Sequence, residues 1–517
     1  MKLVVVNPYI PSLSWFFYSQ GMSSPPWGTI KAANELKKKH EEILVIDGQV
    51  DYEEPGVTLK RVLDFDPDVV GVMIAPVLHL YTFMANTAFP YHLSFLRAVK
   101  KRLPDVKTIL GGLLPRQKPE ILLAKETAVD IVMLESSPLA VSRSISMILK
   151  GKDLGVIPGI AYRDNTNNPR INNIERTKIN EEKELHYFVS QSEYNWKKYG
   201  IEKNLYLLKK REIFPVYPVL GMLGCPFHCT FCATPLHFPR PSPRLSPALF
   251  VDSIEQANTR HNISRFSFWD DTFTTSPGWV SEVCNQIIDR QLNISWWCFG
   301  HIKWLLNNLS LLPLMRKAGC SMMWAGVEST EDSDLDGYEK GIDFSMAKEA
   351  VSRLISADIL PTTSFILGNL NDGEHKTKKI IESSCELEEQ GAINIYTLLA
   401  PVPGTKLYKE IHSKKAFKKH DLRLYNGTRA LLDYPGMTGE KLEEIFFAAY
   451  KASILSERFS KKVGRINFNI EIAGQDEDEL LKGFEEEKAR MQSLEKAGYL
   501  DDEPERLAVS CEWVFAG

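Results

Sequence analysis

Twice along its length the chain repeats one pattern: a short apolar, β-branched run, a turn, then an amphipathic stretch of helical period. In the first 150 residues the runs are Leu3–Val6, Ile43–Ile46, Val69–Ile74, Thr108–Leu110 and Asp130–Leu134. Thr29–Lys39, Leu59–Asp64, Leu93–Lys101, Glu120–Lys125 and Ala140–Leu149 read as helices around them. Short strands alternating with helices build βαβ units and a parallel sheet. Five of them predict a doubly wound, flavodoxin-like α/β domain, with ligands at the carboxyl ends of the strands. The alternation resumes at Tyr217 with Tyr217–Leu220, Arg265–Trp269, Ile294–Phe299, Met322–Val327, Thr362–Leu367 and Asn394–Leu399. Helices are predicted over Ala248–Thr259, Val280–Arg290, Ser310–Lys317, Ser345–Ala357 and Lys376–Gln390. Six such repeats predict a full or partial (β/α) barrel, whose chemistry sits at the C-terminal strand ends.

Charge and cysteine usage narrow the function. The chain has 62 basic and 66 acidic residues, net −4, which argues against a nucleic-acid protein working by bulk charge. The start, MKLVVVNPYIP, has too short an apolar run for a signal peptide. Val69–Leu96 carries no charged residue, but Gly71, Pro76, His79, Asn86, Pro90 and His92 interrupt it. The expectation is a strand followed by an apolar loop over Leu78–Leu96 that meets a membrane surface, a lipid-like substrate or a large cofactor, without spanning a bilayer. The eight cysteines all follow residue 224, which predicts a reducing cytoplasm and not a disulfide scaffold.

Three of those cysteines, Cys225, Cys229 and Cys232, share one short loop after the first barrel strand. Three thiolates at these spacings can hold three irons of a [4Fe–4S] cluster and leave the fourth open. The competing readings are zinc with His228 as fourth ligand, a redox disulfide, and buried structural thiols. The other five cysteines are scattered.

The C-x₃-C-x₂-C spacing, with the aromatic Phe231 before the third cysteine, resembles the radical S-adenosylmethionine (radical SAM) superfamily. FWDDTFT (Phe268–Thr274), AGVEST (Ala325–Thr330) and APVPGTKLY (Ala400–Tyr408) resemble, in order, the second-strand, fourth-strand and sixth-strand motifs of its members. The resemblance implies that SAM chelates the open iron and is cleaved by one electron to a 5′-deoxyadenosyl radical, the cofactors carrying the difficult step. It implies SAM contacts from Glu328, Ser364 and Phe231, and from one of Asp270 and Asp271, whose alternation points them to opposite faces. For the two acids a helix cap or loop contact is the rival reading. An electron donor such as flavodoxin or ferredoxin is implied as partner.

VNPY, VIDGQ, DPDVVGVMIAP and PDVKTILGGLLP resemble the cobalamin-binding domain that precedes many radical SAM barrels. The resemblance implies cobalamin contacts from Asn7, Asp47, Gly48, Ala75, Pro76, Gly111 and Gly112, although two adjacent glycines also suit a tight strand-to-loop turn. The D-x-H-x-x-G motif is absent, with Asp47-Gly48-Gln49 near its place, and Leu134-Glu135-Ser136-Ser137 replaces an acidic GEGE. The expected layout is a cobalamin-binding-like Rossmann domain over 1–150, a linker over 151–205 containing a hairpin, a radical SAM barrel over 206–410 and a helical C-terminal region over 411–517. Together these imply a C-methyltransferase for a natural-product or lipid-like small molecule, with cyclisation, rearrangement or oxidation as the enzymatic alternative and a cobalamin or redox sensor as the non-enzymatic one.

Overall fold

The computed structural model describes residues 1–10, 26–51, 53–75, 82–135, 137–174, 217–237, 244–454 and 500. The described residues within 1–174, together with 420–426, form one compact unit. Those within 217–419, together with 427–454, form another.

The first unit is a seven-stranded sheet of order β2-β1-β3-β4-β5-β6-β7. The strands are β1 (Leu3–Asn7), β2 (Ile43–Asp47), β3 (Val69–Val72), β4 (Lys107–Leu110), β5 (Ile131–Met133), β6 (Ile160–Arg163) and β7 (Pro169–Ile171). β1 to β5 are parallel. Their runs are apolar without alternation because both faces are covered: Leu3, Val4, Val5 and Val6 are all fully buried. Helices Trp27–Lys37 and Pro138–Leu149 contribute Ala32, Leu36, Val141 and Ile145 to the core on one face. Ser137 caps the second of these by accepting from the Ala140 amide. The strand order reverses at β1, which places a ligand crevice at the carboxyl ends of β1 and β3.

Two segments differ from the sequence reading. Most of the apolar stretch taken for a loop is helix, Thr82–Arg102, which continues through Pro90. Proline usually breaks a helix, and this one is long enough to run on past it. The Asn-rich hairpin is not a detached connector: β6 pairs antiparallel with β5, and β7 with β6, so both extend the first sheet. The charged stretch 477–497 of the C-terminal region, for which the sequence predicts helix, lies outside the described residues. Within the C-terminal region the structure shows a short 3₁₀ turn, Leu422–Leu424, and a helix, Gly439–Ile454.

The second unit is a six-stranded, wholly parallel sheet in sequential order: β8 (Tyr217–Val219), β9 (Arg265–Phe268), β10 (Ser295–Gly300), β11 (Cys320–Glu328), β12 (Leu360–Leu367) and β13 (Ile393–Leu398). Among the described residues β8 does not pair with β13, so this is a partial barrel. Its outer face is packed against helices. Phe268 lies between Phe250 of helix Pro247–His261 and Trp296, with ring centroids 5.1 and 4.5 Å away. Burying a side chain of this size contributes about 1.5–3 kcal/mol. On the same outer face, at the other edge of the sheet, Thr363 Oγ1 donates to Asn394 Oδ1 (2.6 Å), and Asn394 Nδ2 donates to the Ser384 carbonyl of helix Glu374–Gln390 (2.8 Å). The inner face is less covered: Met322, Trp324, Gly326, Ser364, Ile366, Ile395 and Thr397 alternate with buried neighbours and stay half-exposed.

Candidate functional site

The cysteine loop leaves the carboxyl end of β8 and is held from three directions. Asp270 and Asp271, just past β9, both face it. The Gly221 amide donates to Asp270 (3.2 Å), and the Gly224 amide donates to Asp271 Oδ2 (3.0 Å). Thr234 Oγ1, beyond the third cysteine, donates to Asp271 Oδ1 (3.0 Å). Thr272 Oγ1 lies 3.3 Å from Cys225 Sγ. From a second side, the Thr230 amide donates to the Tyr338 carbonyl (3.0 Å) and Thr230 Oγ1 to the Gly337 carbonyl (3.1 Å). From a third, the Leu407 amide donates to the Thr230 carbonyl (3.0 Å). That last contact gives the PGT segment its place: Thr405 accepts from the Tyr408 amide, starts helix Lys406–Ser413 and aims its first turn at the loop.

Burial sets the ionisation of this region. It pushes Asp270 up to about 7, against the Gly221 amide and Arg244, and Asp271 up to about 8, against Thr234 and the Gly224 amide. Burial also raises all three thiols, Cys232 to about 12, so as free side chains they are protonated; cluster or metal binding is what draws off the protons. All three are unpaired with other cysteines. Charge on Cys229 would raise the Cys225 and Cys232 thiols further. Among the described residues no three ligating side chains converge on one point. Thiolates that each hold a separate iron of a cube are spread more widely than ligands sharing one ion. The donor set, three sulfurs with a hydroxyl and a carboxyl bracing their backbone, suits an iron–sulfur cluster. His228, weighed as a zinc ligand, is exposed on the loop.

Glu328 ends β11 beside a register shift, with φ 77°. Its carboxylate is buried and accepts from Lys340 Nζ at 2.7 Å. Burial alone would lower the lysine pKa, but Glu328 and the Cys229 sulfur outweigh it, and the ammonium is held charged. Gly326 makes room for the pair: a Cβ there would stand 2.1 Å from Glu328 Oε1 and 2.8 Å from Lys340 Nζ. Lys340 Nζ also lies 5.9 Å from the Phe231 ring, which meets Tyr338 edge-on at 5.2 Å. Ser364 pairs in register with Gly326, one strand over, and is half-exposed.

The structure thus gathers Phe231, Glu328 and Ser364 at the carboxyl ends of the strands and turns both aspartates to bracing the loop. Lys340 and His301 are functional candidates that sequence reasoning missed. His301 follows β10 and stacks on Phe227 of the cysteine loop at 3.8 Å and 13°. It is buried, and burial with Lys340 and Lys303 drops it to about 3, leaving it neutral. A lone lysine twelve residues past Glu328 gives no periodic or motif signal. His301 gives only its place after a strand.

In the first unit, Asn7 and Asp47 close the ends of β1 and β2 together: Asn7 Nδ2 donates to Asp47 Oδ1 (2.8 Å). Ala75 is buried, its amide donating to Thr29 Oγ1 (3.4 Å). The two adjacent glycines divide their roles. Gly111 backs onto its own chain, since a Cβ would lie 2.1 Å from the Met73 carbonyl oxygen. Gly112 has φ 110° and an open Cβ direction, its nearest atom Pro115 Cδ at 4.0 Å. Gly48 is likewise filled by its own chain, with Thr58 Oγ1 3.0 Å from its Cβ position. Pro76 lies outside the described residues. Of the predicted positions, Gly112 thus keeps an open Cβ direction beyond the carboxyl end of β4, while the Asn7 amide at the end of β1 is tied to Asp47.

Residues 219–383 match the family described as the radical SAM superfamily. An uncharacterised methyltransferase of Pyrococcus horikoshii is 23% identical over 457 residues, 87% of this chain and 92% of that protein. An anaerobic magnesium-protoporphyrin IX monomethyl ester cyclase of Rubrivivax gelatinosus is 22% identical over 449 residues, 84% and 74% of the two chains. Among solved structures, the cobalamin-dependent SAM radical enzyme OxsB, with aqua-cobalamin and SAM bound, shares the fold: TM-score 0.62 at 14% identity, covering 98% of this chain and 82% of that one. A partial barrel with a triple-cysteine loop on its first strand, preceded by a doubly wound unit, defines a radical SAM enzyme. Residues 219–383 thus carry the radical SAM domain, and over most of its length the chain is similar to an uncharacterised methyltransferase and, in fold, to a cobalamin-dependent SAM radical enzyme. No helix among the described residues is long and apolar enough to cross a membrane.

Proposed function

We propose that this chain is a C-methyltransferase that uses SAM, a [4Fe–4S] cluster and cobalamin to methylate an unactivated carbon of a small molecule. The observation that carries the reading is the loop of Cys225, Cys229 and Cys232, braced on Asp271 and Thr230 beside the buried Glu328–Lys340 pair. Cys225, Cys229 and Cys232 would hold the cluster, and Asn7 and Gly112 stand at the cobalamin edge. When bound, the cluster supplies the electron that splits SAM and cobalamin carries the methyl group. The Glu328 carboxylate accepts hydrogen bonds from SAM hydroxyl or ammonium groups, and Lys340 Nζ, donating to it at 2.7 Å, fixes its position. Phe231 and Tyr338 wall off that carboxylate from water, which strengthens each polar contact inside. The electron comes from a flavodoxin or ferredoxin in a reducing cytoplasm, where free thiols persist.

The cyclase relative favours tetrapyrroles as one substrate class to try, and it supports a second reading in which the same cofactors close a ring without methyl transfer. Anaerobic turnover with methyl-deuterated SAM and magnesium-protoporphyrin IX monomethyl ester separates the readings. S-adenosylhomocysteine with 5′-deoxyadenosine and a deuteromethylated product supports methyl transfer. Deoxyadenosine without S-adenosylhomocysteine supports the second reading. A reconstituted protein that cleaves no SAM refutes both.

A further inference from the structure

The inner face of the barrel carries an aromatic wall that neither the cysteine loop nor the Glu328–Lys340 pair uses. Register fixes its members to one face. Trp297 pairs with Ser267, Phe299 with Trp324, and Trp324 with Thr362, whereas Phe268, Cys298 and Met323 occupy the opposite, helix-covered side. Trp269 joins the inner set by donating its Nε1–H to Ser267 Oγ (2.6 Å). Centroid separations run 6.3 Å from Trp269 to Trp297, 5.2 Å on to Phe299 and 5.6 Å on to Trp324, with planes tilted by 53°, 78° and 40°. The rings therefore present both faces and edges. Phe268, Cys298 and Met323 on the outer side and Trp269 and Trp297 at the base of the wall are buried, whereas Phe299 and Trp324 remain half-exposed and form its open part. Tryptophans beside barrel strands are more often core than substrate wall, and Trp296 and Trp297 are buried as core while Trp324 is not.

Two further observations limit what can lie against this wall. From the level of Ser267 up to Gly326, the lumen-facing positions of β9 to β12 hold no charged side chain. A charged group entering here would lose its hydration and gain no partner from these strands. Beside Trp324, Thr362 Oγ1 is buried and has no hydrogen-bond partner. A native structure seldom leaves such a group unsatisfied.

We propose that this wall receives a flat, uncharged, conjugated ring of the substrate, with Thr362 Oγ1 hydrogen-bonding a polar atom on its rim. Ring faces and edges at 5–6 Å favour aromatic over saturated partners by their quadrupoles. The wall ends at the layer of Gly326 and Ser364, next below Glu328, so a ring held here stands beneath the carboxylate assigned to SAM. The proposal rests on the reading of the barrel as the substrate-binding half of a radical SAM enzyme.

The test uses the full chain, anaerobically reconstituted, and the probe 2-naphthol, followed by equilibrium dialysis. Decahydro-2-naphthol, of the same outline but saturated, is the control. The expected result is saturable binding of one 2-naphthol per chain, with the saturated analogue weaker by about tenfold or more. Trp324→Leu keeps apolar bulk and should weaken 2-naphthol by about tenfold while leaving the analogue unchanged. Thr362→Val, isosteric, should weaken 2-naphthol but not naphthalene. Far-UV circular dichroism confirms that each variant is folded. Equal binding of the two bicyclic probes, or 2-naphthol binding untouched by Trp324→Leu, overturns the proposal. Separate measurement of SAM cleavage in the same preparations distinguishes the two levels: loss of ring preference with SAM cleavage intact removes only the wall assignment, whereas ring binding without any SAM cleavage removes the enzyme reading beneath it.

Discussion

Replacing Asp271 with alanine isolates what the brace contributes to the cysteine loop. Asp271 is buried and joins the two ends of the loop, accepting from the Gly224 amide at 3.0 Å and from Thr234 Oγ1 at 3.0 Å. In Asp271→Ala the Thr234 hydroxyl can turn to the neighbouring Cys232 sulfur, which it already approaches. The Gly224 amide has no such alternative. An orphaned buried donor costs about 1–3 kcal/mol, so the closed loop loses about 2 kcal/mol, which is roughly 30-fold in the balance between closed and open loop. Open loops shed iron. The assay is bleaching of the cluster absorption by an iron chelator under anaerobic conditions, and the variant should bleach roughly 30-fold faster than the parent. Asp271→Asn is the informative partner. Burial pushes the Asp271 carboxyl up to about 8, so the neutral amide is its near-isostere at pH 7, with Oδ1 accepting from Gly224 and Nδ2 donating to Thr234. It should bleach within about threefold of the parent. Parent-like rates for Asp271→Ala refute the brace. Equal lability of Asn and Ala would mean that charge, not hydrogen bonding, holds the loop.

Gly326→Ala drives a methyl group to 2.1 Å from Glu328 Oε1 and parts the ion pair, so calorimetry should show SAM affinity falling at least tenfold with iron content unchanged. Lys340→Met strands the buried Glu328 carboxylate. Denaturant unfolding should register a loss of about 3–5 kcal/mol, and a loss under about 1 kcal/mol would contradict the pairing. His92 sits fully buried in helix Thr82–Arg102, and burial drops its pKa from 6.5 to about 3. Below pH 6.5 the unfolded chain binds a proton that the folded chain refuses, so stability is full above that pH and falls as the solution is acidified, by about 2 kcal/mol at pH 5. His92→Leu should flatten that acid limb of the first unit's melting profile between pH 7.5 and 5, and an unchanged slope would exclude His92 as its source.

The strands were legible because each is an apolar run between turn residues, and burial on both faces in β1 to β5 removes any need for alternation. The hairpin β6–β7 was read as a hairpin, but nothing in its polar residues says that its partner is β5, since pairing is decided by long-range packing. Pro90 and the absence of charge disguised a helix as a loop. At the site, spacing singles out the three cysteines as a set, whereas Glu328 and Phe231 stand out only through the resemblance of their motifs. The roles of Asp270 and Asp271 were not legible: an alternating pair of acids at a strand end looks the same whether it meets a ligand or a backbone amide. Lys340 depends on a turn of chain between Glu328 and itself that only the folded backbone brings round.

Glu328 carries one more implication, for how this position tolerates change. Its left-handed backbone at φ 77° costs of order 1–3 kcal/mol in any residue with a side chain. Glycine would rest there freely but brings no oxygen atoms. Aspartate keeps a carboxylate but shortens its reach to Lys340. Protein engineers seeking a hardier barrel would meet a trade-off at this codon: the replacement that eases folding most is the one that silences the pocket, and thermostability screens run without an activity filter should enrich it.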